Sequence, residues 1–315
     1  MEADFGLTRL RGDNPLGFLA ALGALHALND DGVEAFLYWE GYTPYLKIQL
    51  QKGFALQKKL HRKFLIDELY KSLKRKAGGR GILDPTTVVT GKIVGFKNEQ
   101  FLKYAGEVQK QAFSLDRRPA DLLASYCVLG PNDEVEKSNW ILTTGQGHQD
   151  FLEIARNVVD KLDKNHLEKA LFGSPIDKDK DRKISFRFDP DEDRRYALTD
   201  SDPSREKTLT SIGANALAFE ALRSFPAFVM RGDRLGVVAW DKEGRSIRWP
   251  LWHYPIMVEV ARSLLSIPEI WSVEDDDEAK EKLLCMGIFA VLEAKKIFSG
   301  NYRNLSPGTP VWFGG

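Results

Sequence analysis

RGDNPLGFLAALGALHAL, Arg11 to Leu28, is the stretch whose reading decides the fold. Asp13-Asn14-Pro15 is a helix start: a polar capping residue, then proline at the first helical position. Leu16, Leu19, Ala20, Gly23, Ala24 and Ala27 follow at helical spacing. The segment is apolar almost all round, and a helix of that kind belongs inside a core. Gly17, Ala20, Ala21, Gly23 and Ala24 leave room for close approach of other elements. Asn29-Asp30-Asp31-Gly32 ends it.

Around this helix the chain mixes helical and strand-like runs. Ala35–Glu40 and Tyr45–Leu50, separated by Gly41-Tyr42-Thr43-Pro44, predict a hairpin. Helices are predicted over Phe54–Lys76, Asn98–Ala112, Pro119–Leu129, Gln149–Leu162, His166–Phe172, Ser211–Arg223 and Tyr254–Leu265. A further helix is expected to start within the acidic run Glu274–Glu278, where the macrodipole favours negative charge. Strands are predicted at Thr86–Phe96, Trp140–Thr143, Ile184–Phe188, Ala227–Met230, Gly236–Trp240 and Ser246–Trp252. Ile288–Phe298 fits either a helix end or a strand. The pattern is α+β, with mixed antiparallel sheets and helices rather than βαβ alternation. Charge and proline accumulate at 177–209, which reads as an exposed connecting region between an N-terminal half, 1–176, and a C-terminal half, 210–315.

The chain has 315 residues, 43% hydrophobic and 29% charged, with zero net charge, so a soluble globular protein that needs no disulfide or metal for its core is expected. Cys127 and Cys285 both lie in apolar sequence and read as buried, reduced thiols. No apolar leader is visible at the N-terminus and no run is long enough to span a bilayer, so a cytoplasmic location without membrane contact is expected.

Charge is unevenly spread. Between Lys52 and Arg80 ten Lys and Arg, among them Lys58, Lys59, Arg62, Lys63, Lys74, Arg75, Lys76 and Arg80, face two acids, a local net charge of +8. The end of this block, KRKAGGRG, joins a helix end to a glycine loop, a composition that follows a polyanion; the alternative is a solvated helix face. Thr143–Leu152, TTGQGHQDFL, places Gln146 and His148 at a turn before a helix. It lacks the Lys-Ser/Thr of a Walker loop and the third glycine of a dinucleotide loop. It reads as a helix start or as backbone donors for an anion. In Asp189–Ser204 the carboxylates Asp189, Asp191, Glu192, Asp193, Asp200 and Asp202 do not follow an EF-hand order. Arg194 and Arg195 there offer phosphate contact or pair with local acids. The histidines His26, His61, His148, His166 and His253 show no ligand spacing, and neither cysteine has a CxxC partner; no zinc site and no cofactor is expected. His253 is expected in an aromatic cluster with Trp249, Trp252 and Tyr254.

Arg11–Leu28, Thr143–Leu152, Asp189–Ser204 and GANALAFEALRSFP (Gly213–Pro226) together resemble a group of CRISPR-associated accessory and effector-complex proteins of type I-G systems, formerly type I-U, including an extension of the helicase–nuclease. The motifs are scattered over about two thirds of the chain. The resemblance implies antiviral defence, with guide RNA or target DNA and other effector subunits or the helicase–nuclease as partners. It supplies no catalytic motif, so no residue receives a catalytic role. Two further readings stand beside it: a metal-dependent nuclease or phosphohydrolase using the acids of 189–202 with Arg194, Arg195 and His148, and a structural partner protein without nucleic-acid contact.

Overall fold

The computed structural model describes residues 2–49, 61–77, 98–114, 117–130, 135–142, 151–174, 176–181, 184–192, 208–230, 234–299 and 302–314. In chain order the elements are β1 (Glu2–Gly6), α1 (Pro15–Asn29), β2 (Glu34–Glu40), β3 (Thr43–Gln49), α2 (Arg62–Ala77), α3 (Asn98–Ser114), α4 (Arg118–Tyr126), β4 (Cys127–Leu129) and β5 (Val135–Lys137). They continue with α5 (Phe151–Lys161), α6 (Lys164–Phe172), β6 (Asp179–Asp181), β7 (Thr208–Thr210), α7 (Ile212–Ala221), β8 (Ala227–Met230), β9 (Arg234–Val237) and β10 (Ser246–Trp252). Last come α8 (Val258–Leu264), α9 (Glu269–Ser272), α10 (Asp277–Cys285), β11 (Ile288–Ser299), β12 (Tyr302–Leu305) and β13 (Thr309–Phe313). The fold is α+β. One antiparallel sheet has the order β1-β3-β2; another joins β10, β11 and β12, with β13 also on β11.

Helix α1 is buried from Pro15 to Leu28, as its all-round apolar sequence requires. Asn14 caps it, its side chain accepting from Gly17 N at 3.2 Å. The helix lies against α7, also buried along its whole length. Contact is so close that a Cβ on Gly23 would stand 1.8 Å from the Leu217 carbonyl oxygen. Gly213 does the same for α7 on α6, where a Cβ would meet His166 O at 2.4 Å. Phe18 on α1 then reaches Trp39 of β2 at 5.8 Å and Trp249 of β10 at 5.6 Å between ring centroids. The Trp249 indole donates to Gly12 O at 2.9 Å and that of Trp252 to Leu37 O at 2.7 Å, so both buried N–H groups are satisfied. One continuous apolar cluster runs from Phe5 to Leu305, through both 1–176 and 210–315.

Several predicted elements are placed differently. The helix expected to Leu129 ends at Tyr126, and Cys127–Leu129 pairs with Val135–Lys137. Trp140–Leu142 is a buried turn rather than a strand; Trp140 packs on Phe188, Phe225 and Trp240. Ile184–Phe188 is neither a strand nor exposed. Ile184, Phe186 and Phe188 are fully buried, and the Phe186 N–H donates to Asn215 Oδ1 at 3.2 Å, a side chain of α7 replacing a neighbouring strand. Ile288–Ser299 is a strand: flanked by β10 and β13, its first half is buried on both faces, which removes the alternation a sequence reader needs. Pairing overrides the helix-forming LEAKK. Cys285 is exposed, while Cys127 is buried, its thiol pushed up by desolvation. His253 is exposed and stacks on Phe289 at 4.1 Å instead of joining the tryptophans. The predicted strand at Thr86–Phe96 and the first part of the helix expected from Phe54 lie outside the described residues.

Candidate nucleic-acid interface

The N-termini of α1 and α7 open on one cleft of about 260 Å3. Asn14, besides capping α1, donates through Nδ2 to Asp189 Oδ1 at 2.9 Å, a contact between residues 175 apart in sequence. Asp189 is held further by Lys178 Nζ at 3.6 Å, and its carbonyl accepts from Asn304 Nδ2 at 3.2 Å. Ser211 caps α7, accepting from Ala214 N at 3.2 Å, and the Ile212 N–H donates to Asp179 Oδ2 at 3.0 Å. Arg9, Arg11, Lys169 and Lys178 line the cleft together with Asp13, Asp177, Asp189 and Asp191. Arg11 Nε donates to Asp13 Oδ1 at 2.8 Å, an exposed pair that raises the guanidinium pKa. Two helix dipoles therefore point their positive ends at a cleft whose side-chain charges balance.

Arg9, Arg11, Lys169 and Lys178 were not singled out from sequence. Arg9 and Arg11 shortly precede the α1 cap, and Lys178 sits in the charged connecting region that begins at 177, so closeness to these two features is the available signal. Lys169 has none, because its place follows from α6 packing on α7 through Gly213.

The predicted basic face is built on α2. Arg62 lies over the Phe172 ring at 4.5 Å, and Lys63 is exposed. Lys74 is turned inward: its ammonium donates to Val159 O at 2.6 Å and Asp160 O at 3.0 Å, in the last turn of α5, where a cation complements the dipole. Lys164 from α6 joins this face, paired with Asp67 at 2.7 Å and 5.7 Å from the Tyr70 ring. Arg62 and Lys74 stand at opposite ends of α2, about 18 Å apart along its axis. Arg75 and Lys76 close the same helix. Lys58, Lys59, Arg80, Gln146, His148, Arg194 and Arg195 lie outside the described residues.

Three segments singled out in the sequence meet here: Asn14 and Asp189 bond across the cleft, and Ala214 lines it beside Ser211. From the fourth, Phe151 packs in the core on Phe186 at 4.8 Å and Phe219 at 6.2 Å. Among the described residues no group of three or more His, Cys, Asp or Glu is placed to hold a metal ion, and no helix is long and apolar enough to cross a membrane. No protein-family model matches the chain, and no curated protein matches it.

Proposed function

We propose that the protein is a non-enzymatic subunit or accessory of a type I CRISPR effector complex, contacting guide RNA or target DNA in the cytoplasm beside other effector subunits or the helicase–nuclease. The observation that supports this reading is that three of the resembling segments, spread from Asn14 to Ala214 in the chain, line one cleft, where Asn14 bonds Asp189. The basic end of α2 supplies the polyanion contact. Because Lys74 is committed to α5, the binding test changes Arg75, Lys76 and Arg80 to Ala and leaves Lys74 intact. Filter binding of RNA and single-stranded DNA across a salt series should show weaker binding and a flatter salt dependence. An unchanged slope removes the nucleic-acid contact at this end. Purification with its genomic neighbours, with and without ribonuclease, tests the complex; a gene with no CRISPR array or associated nuclease nearby counts against the assignment.

A further inference from the structure

Lys296 of β11 and Arg303 of β12 stand on one face of a sheet, with Lys137 of β5 within electrostatic reach of both. The β11–β12 register pairs Phe298 with Arg303 and Lys296 with Leu305, which puts Lys296, Phe298 and Arg303 on one face. Lys296 Nζ lies 4.7 Å from the Trp240 ring centroid, and the Arg303 guanidinium lies 5.6 Å from that of Phe298, a residue 59% exposed. Among the described residues none of the three cations forms an ion pair. The acid that acts on Lys296 is Asp241, and its oxygens already accept from Arg245 N at 2.8 Å and from Ser246 N and Oγ at 2.9 Å each. The cations also act on one another: desolvation and then Arg303 lower both lysines, and for Lys296 the opposing effect of Asp241 and the lowering by Lys137 leave it at about 8. Like charges gathered on a half-buried surface, where the acid that acts on Lys296 is already engaged by backbone and serine donors, are costly unless an anion joins them.

We propose that Lys137, Lys296 and Arg303 form a phosphate-ester site, with the exposed Phe298 ring beside it as a platform for the attached base. Phosphate recognition by clustered cations next to an aromatic ring is the arrangement of single-strand binding surfaces. The site is built on β5, β11 and β12, not on α2.

The test titrates a fluorescein-labelled thymidine 12-mer by anisotropy, and thymidine 5′-monophosphate and inorganic phosphate by calorimetry. The proteins are wild type, K296M/R303Q and F298A. The double variant should bind at least about ten-fold more weakly, with the salt slope reduced by about 0.7 per cation lost. F298A should weaken the 12-mer and the nucleotide while leaving inorganic phosphate unchanged. At pH 8 the wild type should take up protons on binding, read from the buffer dependence of the heat, because an anion raises the Lys296 pKa; a single K296M variant, added for this measurement, should not. Preference for the 12-mer identifies a polynucleotide as the source of the phosphate, and equal binding of the mononucleotide identifies a free nucleotide; both keep the site. Binding of none of the three, or equal affinity in wild type and K296M/R303Q, overturns it. If Arg75, Lys76 and Arg80 variants lose the 12-mer while K296M/R303Q retains it, this site falls and the proposed function stands.

Discussion

Replacing Lys296 by Met should make the protein more stable at neutral pH. The Lys296 ammonium, ordinarily titrating at 10.5, is pushed down to about 8, chiefly by burial and then by Arg303. At pH 7 that difference corresponds to about 3 kcal/mol of cost carried by the folded state. Methionine keeps the aliphatic contact with Trp240 and gives up the cation–π attraction, worth about 1 kcal/mol. The net expectation is a gain of about 2 kcal/mol at pH 7. The sign of the pH dependence is fixed: between about 8 and 10.5 the unfolded chain holds a proton that the fold releases, so wild-type stability rises with pH through this window. The advantage of the variant should therefore shrink from pH 8 and be gone near pH 10.5. Urea unfolding of the two proteins at pH 7, 8, 9 and 10 measures the difference. Groups common to both, such as Tyr38, whose pKa burial and Asp4 raise to about 12, cancel in it. A variant less stable than wild type at pH 7, or a difference that does not change with pH, refutes the reasoning.

Three other outcomes are expected. Gly23→Ala drives a Cβ into the Leu217 carbonyl and should cost at least about 3 kcal/mol in urea unfolding, since overpacked backbone cannot yield like a side-chain tip; a loss under about 1 kcal/mol would mean that α1 and α7 can slide apart. Asn14→Ala removes the α1 cap and the bond to Asp189 and should cost about 2 kcal/mol, whereas Asn14→Asp should recover the cap but not the contact with Asp189, which it would repel; equal losses in both variants would place the whole effect in the cross-cleft bond. A thiol reagent at pH 8 should label Cys285 quickly and Cys127 only after unfolding, because Cys127 is buried and its thiolate disfavoured; rapid labelling of both would contradict the burial of β4.

The parts of the fold that were legible in the sequence are those where one local signal suffices. The Asn14-Pro15 start, the all-round apolar run to Leu28 and the alternation in Glu34–Glu40 with its glycine turn each specify their own structure. Legibility failed where a distant segment supplies the partner. Ile184–Phe188 looked like a strand in an exposed region because its flanks are charged, yet its backbone is satisfied by Asn215, and its rings fill space between α5 and α7. Cys285 lies in apolar sequence but ends α10 on the solvent side. The candidate site divides the same way. A run such as Lys74-Arg75-Lys76 announces its charge, though not that Lys74 spends it on the carbonyls of α5. Lys137, Lys296 and Arg303 carry no sequence signal, because 166 residues separate the first from the last and only strand register brings the last two onto one face.

The union of α1 with α7 also sets a schedule for biosynthesis. Helix α1 is finished at Asn29, but the surface that covers it ends at Ala221. At about 5–20 residues per second, the ribosome needs roughly 10–40 s to deliver that surface. For that interval α1 has β2 against Phe18 but nothing over the face that α7 will cover, and it is a natural client for chaperones that hold nascent apolar segments. Translation halted before α7 should therefore leave a product that aggregates or stays chaperone-bound, while a few dozen further codons let α1 be covered.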